Sequence, residues 1–147
     1  MCSMRFRVFI DRGGEDVTAL VWLSMMKNEG SIEIGDLEIQ MKGRGVFSPE
    51  FAFSRNDQVI ATGSIPLAFR TRIYLWSGGR HFEMRPRALG EKLEISDGQR
   101  IVGHIRKKGV FNRRGTIELD EDIPAYDGLF LLMLAAHYWK MVVAAVS

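Results

Sequence analysis

Short stretches of alternating apolar and polar residues run through most of this 147-residue chain. "MRFRVFI" puts Met4, Phe6, Val8 and Ile10 on one side and Arg5 and Arg7 on the other. "FRTRIYLW" sets Phe69, Ile73 and Leu75 against Arg70 and Arg72, and "HFEMRPR" sets Phe82 and Met84 against Glu83, Arg85 and Arg87. Side chains alternate across a strand, so each stretch can bury one face and wet the other. Glycine- and asparagine-rich turn signals separate them, which predicts a protein built mostly of β-strands. Two hairpins are legible. One turns at Asn56-Asp57, and the other at Asp97-Gly98, which is expected to supply the positive φ angles of a tight turn. Laid against each other, the two regions suggest an internal repeat, pairing Phe53-Ser54 with Ile95-Ser96 and Gly63-Ser64-Ile65 with Gly103-His104-Ile105.

The pattern changes near the end. "GLFLLMLAAHYWKMVVAAV", residues 128–146, follows Pro124 and the acids Asp120, Glu121 and Asp122. Proline suits a first helical turn, acids suit the positive end of a helix dipole, and Asp127 is a further possible cap. Helix is therefore predicted from about Pro124 onward. From Leu129 to Ala136 no residue is polar, so that half of the helix must be buried all round. Its length suits either a bilayer or the middle of a small domain. His137 and Lys140 favour the second: a lysine near a bilayer midplane costs about 2.5–3.5 kcal/mol. The expectation is a helix enclosed by the strands, with His137 and Lys140 near the mouth of the enclosure. A tail anchor is the alternative.

Composition narrows the class. Hydrophobic residues make up 46% and charged residues 26%, as in ordinary globular chains, and the length suits one domain over 1–147. A single cysteine, Cys2, excludes an intrachain disulfide framework and fits a reducing compartment. No secretory signal is legible, so the expected location is cytoplasmic, peripheral to a membrane if the basic segment described below meets lipid.

Catalytic motifs are missing. His81, His104 and His137 lack metal-ligand spacing, and there is no nucleophile elbow, HExxH pair or phosphate loop. The expectation is a non-enzymatic chain without cofactor or metal. What remains is basic. Gly98 to Ile117 contains no acid but carries Arg100, Arg106, Lys107, Lys108, Arg113 and Arg114. Arg106, Lys107, Lys108, Arg113 and Arg114, with Arg70 and Arg72, are the candidate anion- or lipid-binding residues, since each basic residue near an anionic membrane contributes about 1 kcal/mol. A solvated, charge-protected sheet edge is the competing reading. The net charge of +2 and the few interleaved aromatics give no expectation of nucleic acid binding.

"GQRIVGHIRKKGVFNRRGTIELDEDIPAYDGLFLLMLAAHYWKMVVAAV" runs strand, glycine-containing turn, strand, acidic-proline linker, apolar helix. In that order the chain resembles the tubby-like C-terminal fold, a group that includes LURP-one-related proteins and phospholipid scramblases, and it looks most like the short bacterial members. The resemblance implies an antiparallel β-barrel enclosing a hydrophobic C-terminal α-helix, a single tubby-like domain. It also implies binding of phosphoinositide-like ligands or a link to lipid movement. No family ligand residue matches a position here. The alternatives carried forward are a protein-interaction β-barrel without small ligand and a tail-anchored membrane protein acting on lipid distribution.

Overall fold

The computed structural model describes residues 3–12, 15–24, 28–45, 49–66, 72–87, 91–106, 114–120 and 122–146, with the side chains of 3–17, 114–116 and 140–146 outside that description. Among the described residues the chain is mainly β with one C-terminal helix. The strands are β1 (Ser3–Arg12), β2 (Glu15–Ser24), β3 (Glu29–Ile34), β4 (Leu37–Arg44), β5 (Glu50–Arg55) and β6 (Gln58–Ser64). They continue with β7 (Ile73–Ser77), β8 (Arg80–Arg87), β9 (Lys92–Ser96), β10 (Ile101–Arg106) and β11 (Arg114–Leu119), and the helix is α1 (Ala125–Val146).

Consecutive strands pair antiparallel from β1 to β11, as short hairpin connections dictate. β1 also pairs β11, with Arg7 opposite Arg114 and Ile10 opposite Ile117, so the ladder returns to its start. That last pair is parallel, which corrects the expectation of a wholly antiparallel sheet. The reason is parity: a closed ring with an odd number of strands cannot alternate direction throughout. Closure also removes the unpaired edges that would otherwise invite aggregation.

Alternation decides what faces inward. Ile39 and Met41 of β4, Phe51 and Phe53 of β5, Phe82 and Met84 of β8, and Leu93 and Ile95 of β9 are buried, with less buried neighbours between them. An eight-stranded barrel is just wide enough for its own side chains, and diameter grows with strand number. The eleven described strands leave room for more, and α1 occupies it. Leu129 through Ala136 are all fully buried, so this part of the helix has no wet face. Phe130 stacks on Phe53, with ring centroids 4.4 Å apart. Wall glycines leave room for helix side chains: a Cβ on Gly63 would lie 2.7 Å from Cδ1 of Leu134. Gly63→Val should therefore cost about 1–3 kcal/mol by overpacking, read as a lowered urea midpoint at constant slope.

The turns divide the barrel into two ends. Near the start of α1 lie the turns Gly35-Asp36, Asn56-Asp57, Gly78-Gly79 and Asp97 to Arg100. Asn56 and Asp57 both have positive φ, as a two-residue primed turn requires. Asp97 does not. Only Gly98 in that turn is left-handed, and the Asp97 carboxylate accepts the backbone N–H groups of Gln99 and Arg100 at 3.0 Å, closing a longer loop.

The two hairpins share a β-bulge. Ile60 is the extra residue between Ser54↔Val59 and Phe53↔Ala61, and Val102 is the extra residue between Ser96↔Ile101 and Ile95↔Gly103. Val59-Ile60-Ala61 thus corresponds to Ile101-Val102-Gly103. Gly63 corresponds to Ile105 rather than Gly103, a correction to the register expected from sequence. Bulges twist and bend a strand, which a closing sheet requires.

Candidate cationic surface and buried polar cluster

The end of the barrel away from the helix start is basic. Arg87 ends β8, Lys92 begins β9 and Arg106 ends β10, and register pairs Arg87 with Lys92 and Lys92 with Arg106. All three point outward, because Met84, Leu93, Ile95 and Ile105 take the inward positions of the same strands. Arg87 reaches the Glu94 carboxylate at 3.4 Å, whereas no partner occurs for Lys92 or Arg106 among the described residues.

Of the residues expected from sequence, the structure places Arg106 in this row as an exposed cation. Arg72 is otherwise occupied: its Nη1 donates to Glu83 at 2.9 Å, and the same carboxylate lies 3.8 Å from Arg85. Its charge is largely answered, so it is a weak candidate. Arg114 is fixed only by backbone register, opposite Arg7 on β1. Arg70, Lys107, Lys108 and Arg113 lie outside the described residues. Arg100 belongs to the other end of the barrel. Its guanidinium donates to Asp120 and, at 2.9 Å, to Asp122, with Asp97 at 3.9 Å. The acid-free run thus gains acids through space that it lacks in sequence. Lys92, absent from the sequence candidates, joins the row only because β9 lies between β8 and β10.

The opposite end holds a cluster that local sequence did not reveal. Asp127, in the first turn of α1, is fully buried. Its carboxylate accepts a hydrogen bond from Ser77 Oγ and another from Arg80 Nε, the latter at 2.9 Å. Arg80 Nη2 also donates to the Tyr126 hydroxyl at 3.3 Å. Burial pushes the Asp127 carboxyl up, while Ser77 and Arg80 pull it down. The Arg80 guanidinium is held further above its ordinary value, chiefly by the hydrogen bond to Asp127. Asp127 ties the helix start to the β7–β8 turn rather than capping its own helix. Asp127→Ala should leave the buried Ser77 hydroxyl and the half-exposed Arg80 without their partner and cost about 1–3 kcal/mol, read by thermal or urea unfolding.

His137 lies inside the wall of strands. It is 3% exposed, hence buried, and its ring lies 4.8 Å from that of Phe51, near the start of β5, while the side chain of Lys140 lies outside the described residues. Its Nε2 has no hydrogen-bond partner among the described residues. Burial drives its pKa down to about 4.

A third feature lies on the outer wall. Tyr74, Trp76 and His81 stack on adjacent strands, with centroid separations of 5.0–6.0 Å. Trp76 is 47% exposed and borders a groove of about 570 Å³, whose wall includes Lys42, Ala52, Thr62 and Ser64. The alternation that buries Ile73 and Leu75 already implied that Tyr74 and Trp76 face outward.

Among the described residues no group of three His, Cys, Asp or Glu is arranged to hold a metal ion, and no helix is long and apolar enough to cross a membrane. Compared with known proteins, the chain matches no family model, no curated protein and no solved structure.

Proposed function

We propose that this chain is a tubby-like, non-enzymatic binding module whose basic end recognises a phosphate-bearing anionic surface, with lipid headgroups the favoured ligand. The architecture that supports the fold reading is a ring of strands around a helix buried on every side. The observation that carries the functional reading is the outward row Arg87, Lys92 and Arg106, which brings cations from three neighbouring strands together at one end. Acids collect at the opposite end, where Asp97, Asp120 and Asp122 surround Arg100. This separation gives the barrel an electrostatic direction, and a dipolar protein docks an anionic surface by its basic end.

Sedimentation with vesicles tests it. Vesicles containing phosphatidylserine or a phosphoinositide should bind the protein, pure phosphatidylcholine should not, and salt should weaken the binding. Reversing two charges together, Lys92→Glu with Arg106→Glu, should cost at least about 2 kcal/mol, roughly a thirty-fold loss of affinity. Equal binding to neutral and anionic vesicles would sink the proposal.

The exposed Trp76 beside its groove favours a second reading, a barrel that binds another protein through this wall, since tryptophan is enriched at interface hot spots. Its mark would be an association that Trp76→Ser removes and that charge reversal at Lys92 and Arg106 leaves intact.

A further inference from the structure

Three hairpin ends and the first turn of α1 meet at the acidic end of the barrel and line an open cleft of about 350 Å³. Leu37, at the start of β4, and Ile60, the bulge residue of β6, supply apolar wall. Both are partly buried and pack against the core. Arg55, Arg80, Ser77 and Tyr126 supply the polar wall. The bulge matters here, because an inserted residue re-aims its side chain, and without it Ile60 would follow the strict alternation of the strand.

The two arginines differ. Arg80 is held from behind by a fully buried carboxylate and from the side by the Tyr126 hydroxyl, using Nε and Nη2. Nη1 remains, and its direction is fixed by those two bonds. Arg55 has no partner among the described residues. Asp127 answers the charge of Arg80, so the pair presents one net positive charge to the cleft. One net charge matches a monoanion such as a carboxylate, and it underserves a phosphate dianion. The unpartnered Arg55 guanidinium can match a carboxylate in two parallel hydrogen bonds, with Arg80 Nη1 adding a third. The volume lies at the small end of the range for ligand cavities, and the apolar wall requires an apolar body.

We infer that this cleft binds a small amphipathic carboxylate, its carboxylate between Arg55 and Arg80 and its apolar body against Leu37 and Ile60. Asp127 acts as a positioning residue that fixes the direction of Arg80 Nη1. The site is separate from the cationic row at the other end and does not depend on that row binding lipid.

Octanoate is the probe, titrated calorimetrically into the full chain below its micelle concentration, with octanol, octylamine and octyl phosphate as comparisons. Octanoate should bind saturably at one site. Octanol and octylamine should bind at least tenfold more weakly, and octyl phosphate no more tightly than octanoate. Arg55 is exposed and bonded to nothing described, so Arg55→Gln should fold as the parent does and lose at least tenfold in octanoate affinity. The Lys92→Glu, Arg106→Glu double variant should bind octanoate as the parent does, whatever it does on vesicles. Failure of octanoate to saturate at millimolar concentration overturns the inference. So does undiminished binding in Arg55→Gln, tighter binding of octyl phosphate, or loss of octanoate binding in the double variant.

Discussion

Leu132→Asp should abolish folding of the whole chain. Leu132 is fully buried in the middle of α1, and its helical neighbours from Leu129 to Ala136 are equally buried. Truncating a buried leucine costs about 2–5 kcal/mol through lost transfer energy and the cavity left behind. A carboxylate at that point adds the cost of an unpaired charge in an apolar interior, several kcal/mol even if it escapes by taking up a proton. A domain of this size has about 5–15 kcal/mol to lose, so the sum exhausts most or all of it. Loss of the helix also empties the ring of strands, whose inward residues Phe53, Ile39 and Leu75 have little else to pack against. The expected result is insoluble protein, or a soluble form without a cooperative urea transition. Leu132→Met, which nearly conserves volume, should cost under about 1.5 kcal/mol and serves as the control. A cooperatively folding Leu132→Asp variant would show that the helix is not the axis of the fold.

What could be read in the sequence follows from how local each feature is. Period-two alternation placed Phe82, Met84, Ile73 and Leu75 inside, because a strand's two faces are written in its own residues. The lack of any polar face from Leu129 to Ala136 likewise predicted burial all round. The closing β1–β11 pair has no such local mark. It joins the two ends of the sheet, and its parallel sense comes from the number of strands. Asp127 is instructive in another way. An acid in a first helical turn is sufficiently explained by the helix dipole, and only the fold brings Arg80 to it across the β7–β8 turn. The same reasoning applies to Arg100, whose acids arrive from the linker before α1, and to Lys92, which enters the cationic row by strand order. Charge was legible along the chain, and its partners were not. The exposed Trp76 was recoverable, since the alternation that buries Leu75 turns its neighbour outward.

His137 should make the fold acid-sensitive in a defined window. Its pKa falls from an ordinary 6.5 to about 4 in the folded protein, because burial disfavours the imidazolium. Unfolding therefore takes up a proton between those two values. The stability that depends on a neutral His137 is fully present above about pH 6.5 and is lost as pH falls towards 4, by up to about 3 kcal/mol. Asp127 works in the opposite sense. Burial raises its pKa in the folded state, so acidification favours its folded form and offsets part of the loss. Replacing His137 separates the two. His137→Leu removes the titrating ring and also a buried Nε2 that no described residue satisfies, so at pH 7 the variant should be no less stable than the parent. Urea midpoints measured from pH 7.5 to 4.5 should fall steeply for the parent and remain nearly level for His137→Leu. Parallel decline in both would assign the acid sensitivity to the surface carboxylates, and would mean that the His137 ring accepts a proton in place without disturbing the helix around it.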